Sequence, residues 1–98
     1  MKLIALQFTY HTDIIEVPDK LAPRIRSIQS EFDKWLYDKT IDHKCWIFIQ
    51  GQKAAVSFGS NDFVDFINNY ILCNSPEKAK LVQKNAEKIP AKIRKLYF

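Results

Sequence analysis

Residues 2–10 alternate, with Ile4, Leu6, Phe8 and Tyr10 to one side and Ala5, Gln7 and Thr9 to the other. That is the two-residue period of a half-buried strand. His11-Thr12-Asp13 reads as a turn, and Ile14-Ile15-Glu16-Val17 returns antiparallel until Pro18 ends the pairing. From Asp19 the period lengthens: Leu21, Ile25, Ile28, Phe32 and Trp35 recur at alternating steps of four and three, which predicts an amphipathic helix finishing near Tyr37. Asp19 is its candidate N-cap. Pro23 near the start is tolerated because the first backbone donors have no partner inside a helix.

Two six-residue apolar runs, Cys45–Gln50 and Lys53–Phe58, flank Gly51-Gln52. Glycine at the first central position predicts a type II′ hairpin turn with Gln50 opposite Lys53. In that register Cys45, Ile47 and Ile49 share the covered face with Ala54, Val56 and Phe58, and Trp46 and Phe48 project from the other. Gly59-Ser60-Asn61-Asp62 then supplies capping side chains for a second helix with the stripe Phe63, Phe66, Ile67, Tyr70 and Ile71. Ser75-Pro76-Glu77 restarts a third, whose apolar set is Ala79, Val82, Ala86 and Ile89. Pro90 predicts a kink or break, and a last segment ends in Tyr97-Phe98, either docked as a final strand or packed into a partner.

The expected architecture is therefore α+β, one domain over 1–98. It has about four antiparallel strands from two hairpins and three helices in the order ββαββαα, with 75–98 a basic helical segment. If 14–17 failed to pair, the remainder would read as a ferredoxin-like βαββα unit closed by the terminal segment.

Ninety-eight residues at 47% hydrophobic and 27% charged, with two glycines, suit a chain that folds on one core without disulfides or metals. No apolar run approaches the roughly 20 residues of a membrane span, and the start of the chain lacks a signal-peptide core, so a cytoplasmic protein with no membrane partner is expected. Charge is uneven. Residues 1–70 hold eight Lys/Arg against nine Asp/Glu, and 71–98 hold seven against two, so the net +4 arises from the last third. On a helix, Lys80, Lys84 and Lys88 would form a ridge at four-residue spacing, continued by Lys92 and Lys95 after Pro90. Such a ridge suits phosphates or an acidic protein, although a solvated helix face is the bland reading.

Chemistry is sparse. No phosphate-binding glycine loop, zinc-protease motif or serine nucleophile elbow occurs. His43 and Cys45, one residue apart on a strand, share a face, which would allow a thiol–imidazole pair; a metal site would need His11 and Cys73 to converge with them. A buried Cys45 is the simpler expectation. In its Trp46 and Phe48 face the chain resembles the aromatic platform of RNA-recognition domains, while the basic, glycine-containing consensus of that family is absent.

These features point to a non-enzymatic protein without cofactors that acts by occupying a partner protein's surface, with homodimerisation open. Twelve Ile and twelve Lys against three Arg resemble AT-rich bacterial or phage coding sequence, where small accessory factors such as inhibitors of nucleic-acid-targeting defence are common. The partner would be acidic or nucleic-acid-associated. The alternative is direct nucleic-acid binding through the lysines, with Trp46 or Phe48 stacking.

Overall fold

The alternating residues 2–17 form the central hairpin of the molecule in the computed structural model, which describes all 98 residues. Strands β1 (Lys2–Gln7) and β2 (Thr12–Val17) pair antiparallel from Lys2↔Val17 to Gln7↔Thr12. The strand stops three residues earlier than the pattern predicts, because the Phe8 N–H donates to His11 O and closes the turn, leaving Tyr10 exposed at its tip. Ile4, Leu6, Ile15 and Val17 form the inner face, against the main core.

Asp19–Arg24 is a 3-10 turn containing Pro23, followed by helix α1 (Ile25–Leu36). Asp19 does not cap it: its carboxylate takes the Met1 ammonium at 2.8 Å, and it ionises below its ordinary value because of that hydrogen bond. Ile25, Ile28 and Phe32 are buried, as the spacing requires, whereas the last buried position of the helix is Leu36 and the expected Trp35 is only half-buried. Phe32 is the hub. Its ring meets Phe63 at 5.2 Å, Phe66 at 5.4 Å, Phe58 at 5.5 Å and Phe98 at 6.4 Å, so one side chain gathers three other segments of chain.

Helix α2 (Ser60–Phe66) runs on into a π-helical stretch, Ile67–Ile71, in which the Leu72 N–H reaches back five residues to Ile67 O at 2.8 Å. Phe63, Phe66 and Ile67 enter the core; Tyr70 does not, and is exposed.

The third helix is absent. In its place lie β5 (Lys80–Gln83) and β6 (Arg94–Tyr97), so the order is ββαββαββ with two helices. The four-stranded sheet runs β5-β2-β1-β6, and β3 (Trp46–Ile49) with β4 (Gln52–Val56) forms a separate two-stranded sheet. The sheet is mixed: β5 is antiparallel to β2 and β6 parallel to β1. Residues 14–17 do pair, so the condition for a ferredoxin-like unit is not met.

Three local facts overrule the helical spacing of 79–89. The side-chain amide of Asn68 clamps Ala79 in both directions, accepting its N–H at 2.8 Å and donating to its carbonyl at 3.0 Å, which mimics a strand pairing. Ala79 and Leu81, two residues apart, share the inner face of a strand, whereas on a helix they would point to opposite sides. Asn85, at φ +53°, turns the chain out of either regular form. The last residue, Phe98, docks as one of the two expected alternatives: its N–H bonds Gln7 O at 2.9 Å and its ring stacks on Phe8 at 5.2 Å.

Since β5 and β6 run the same way at opposite edges, the connection 84–93 must cross the sheet. Ala5 and Ile14 are buried yet face away from the helices, so the outer face is covered too; half-buried Ala86, Ile89 and Ile93 of the connection supply apolar cover there.

Asp13 joins three of these parts. Buried at the inner end of β2, its Oδ2 accepts the Ser60 hydroxyl at 2.6 Å and lies 3.4 Å from His11 Nε2, and its Oδ1 accepts the Asn85 N–H at 2.9 Å. It ties the hairpin turn, the start of α2 and the exit from β5 together. Asp13→Ala leaves those donors without an acceptor and is expected to cost about 2–4 kcal/mol in urea unfolding, against about 1 kcal/mol for Ser60→Ala. Equal, small losses for the two would contradict this role.

Candidate functional site

Gln50 and Gly51 both have positive φ, +54° and +76°, which is the type I′ conformation. The turn is therefore Gln50-Gly51, one residue earlier than Gly51-Gln52, and Ile49 faces Gln52. Glycine favours this φ; Gln50 adopts it because the I′ twist matches that of the strands. Against the expected register the tip partners shift by two residues, Ile49 meeting Gln52 instead of Ala54, which keeps each side chain on its own face. A second irregularity between Ile47 and Phe48 leaves Ile47 opposite Ala55 and Trp46 opposite Val56.

The aromatic face expected from Trp46 and Phe48 is not formed. Trp46 is buried at 8% exposure, its indole N–H donating to Ile41 O at 2.7 Å and its ring stacked on His43 at 5.0 Å. Phe48 is exposed as anticipated, at 58%, but its companions are Ile47 at 44% and Ile49 at 61%, both assigned inward from the sequence. No local signal in the sequence finds them, because both faces of the strand are exposed beyond Trp46.

The hairpin projects as an arm, hydrogen-bonded to no strand of the main sheet. Its root is fixed by Trp46 and by Lys53, whose ammonium lies 5.6 Å from the Trp46 ring centroid, donates to Lys39 O at 2.6 Å and pairs with the Asp42 carboxylate. That pairing holds Asp42 below the usual carboxylate range, and bonds from Thr40 do the same for Asp38. Beyond this anchor the tip carries apolar side chains and open backbone edges.

The predicted lysine ridge is dispersed. Lys80 lies on β5 and Lys95 on β6, three strand spacings apart, about 14 Å. Lys84, Lys88 and Lys92 ride the connection that crosses between them. Leu81 and Leu96 turn inward, so Lys80 and Lys95 both turn to the outer face, and none of the five pairs with a carboxylate. Lys84 instead borders the start of α2, in a pocket with Asp13, Ser60 and Asp62, so the five cationic groups form neither one helical line nor one face.

His43 and Cys45 do not form a thiol–imidazole pair. The imidazole Nδ1 accepts the Cys45 backbone N–H at 3.1 Å and Nε2 donates to Leu36 O at 2.8 Å, so both ring nitrogens are engaged with main chain. Burial, with the Asp62 carboxylate nearby, pushes the Cys45 thiol up to about 11. It stays protonated at neutral pH and is a poor nucleophile. Cys73 is exposed after the π-helical stretch, and no three His, Cys, Asp or Glu side chains converge as metal donors. No helix is long and apolar enough to cross a membrane.

Comparison of the chain with protein-family models, curated proteins and solved structures finds no match in any of the three.

Ellman's reagent at pH 7.5 is expected to titrate Cys73 promptly and Cys45 only after denaturation. Two fast thiols in the native protein would contradict the buried, protonated state of Cys45.

Proposed function

We propose that the protein is a small binding or inhibitory factor that occupies a partner protein's surface through the β3–β4 arm. The observation that carries this reading is the run of three exposed apolar side chains, Ile47, Phe48 and Ile49, on a hairpin that projects from the body and has no internal neighbour to cover it. Isolated two-stranded hairpins are marginal in water, and here the root contacts of Trp46 and Lys53 hold the arm in place. Exposing three adjacent large apolar groups on a tethered hairpin costs solubility, and a partner with an apolar cleft or an open sheet edge would offset it.

The chemistry of the arm argues for a protein partner over a nucleic acid. Its one charged residue, Lys53, is spent on Asp42 and on the carbonyls at the root, so the tip offers nothing to a phosphate. Attachment of a phage or mobile-element role to this surface rests on size and composition alone.

Direct nucleic-acid binding is the second reading, favoured by Lys80 and Lys95 on the outer face, by the unpaired lysines of the 84–93 connection and by exposed Tyr97 beside Lys95. Salt and substitution separate the two. Phe48→Asp with Ile49→Asp is expected to abolish capture of a protein partner at unchanged thermal stability, and raising salt from 50 to about 300 mM is expected to leave capture intact. Nuclease-sensitive recovery of nucleic acid that Lys84→Glu, Lys88→Glu and Lys92→Glu abolish, with no effect of the Phe48 and Ile49 changes, would overturn the first reading in favour of the second.

A further inference from the structure

Beside the root of the arm lies a cavity of about 290 Å³ that neither reading uses, lined among others by Trp35, Lys44, Asp62, Asp65, Phe66 and Tyr70. Its aromatic walls are contiguous: Trp35 meets Phe66 at 5.3 Å and Tyr70 at 5.7 Å, and Phe66 meets Tyr70 at 5.1 Å. Behind them the stack continues through His43, 4.5 Å from Trp35, to Trp46, so the wall is braced from the core side.

The π-helical stretch shapes this cup. It carries Tyr70 out of the core stripe, leaving the ring 56% exposed, a poor position for a large aromatic whose only purpose is packing.

The mouth is anionic. Asp62 Oδ1 and Asp65 Oδ2 lie 3.5 and 3.2 Å from one nitrogen, the ammonium of Lys44. Lys44 is the chain's own cation in the cup, and it is loosely held: its side chain is largely exposed and its two pairings are surface ion pairs. Aromatic faces around a point where two carboxylates converge are the features that select an organic cation, since the π faces and the carboxylates both attract positive charge.

We propose that this cup binds the guanidinium of an arginine side chain presented by a partner polypeptide, with Lys44 holding the site until it is displaced. A guanidinium suits it better than an ammonium for two reasons. Its flat face stacks on an indole or phenol ring, and its fork of donors serves two carboxylates at once. A quaternary ammonium would stack but offer no hydrogen bond to either carboxylate.

The test is an NMR titration of the intact protein with N-acetyl-arginine-methylamide. Binding of about millimolar strength is expected, with shifts at the Trp35 indole and the Tyr70 ring, while the buried Trp46 indole serves as the reference. Lys44→Gln is expected to tighten binding about threefold or more by removing the competing cation, and Asp65→Asn to weaken it about fivefold or more. Asp65 is half-exposed and its partner is a surface lysine, so the asparagine variant keeps the fold, which its unchanged amide spectrum verifies. The citrulline analogue, of equal shape without the charge, should not bind. Unmoved Trp35 and Tyr70 resonances, equal binding of the citrulline or N-acetyl-lysine-methylamide probe, or an unchanged affinity in Lys44→Gln would each overturn the assignment. None of these outcomes depends on the arm, whose partner is tested separately.

Discussion

A two-stranded hairpin has two open edges and one apolar face, and satisfying both is the constraint from which the rest of this structure follows. Residues 2–17 form that hairpin early in the chain, and α1 and α2 cover its inner face with Ile25, Ile28, Phe32, Phe63 and Ile67. Its edges remain, each a row of backbone donors and acceptors that water or another strand must serve. The final third of the chain serves them, β5 along β2 and β6 along β1. Everything distinctive about residues 75–98, from the long crossover to the dispersal of the lysines, is a consequence of that pairing.

The arm stands apart from that sheet. β3 and β4 join neither of its outer edges, β5 and β6, and pair only with each other. The apolar residues in β3 are then divided by burial: Trp46 at the root is anchored by hydrogen bond, stacking and a nearby ammonium, while Ile47, Phe48 and Ile49 reach past the body. Anchor and tip belong to one continuous strand, so the exposed apolar side chains sit on a fixed root although the tip itself has no cover.

Much of this was legible in the residues. The first hairpin, the α1 stripe, the second hairpin and the start of α2 each follow from a local period and a turn signal, and local signals suffice where the contacts are local. The third helix failed because Ala79, Val82, Ala86 and Ile89 satisfy a helical spacing while Ala79 and Leu81 also satisfy a strand, and the choice was made by β2 and by Asn68, both distant in sequence. The turn failed more narrowly: Gly51 is compatible with type II′ or type I′, and the exposure of Ile47 and Ile49 beside Phe48 follows from both faces of β3 being open past Trp46, which no local period shows. Of the candidate partner-binding residues, Phe48 and the five lysines are accessible where side chains could meet a partner, and Trp46 is not.

The claim that the last third of the chain is recruited as two edge strands is tested most directly by amide hydrogen exchange resolved by residue over 75–98. The account predicts slow exchange confined to amides within 80–83 and 94–97, with 87–92 exchanging rapidly. An unbroken protected run from about 77 to 89, the mark of a helix, would contradict it and would restore the lysines to a single ridge.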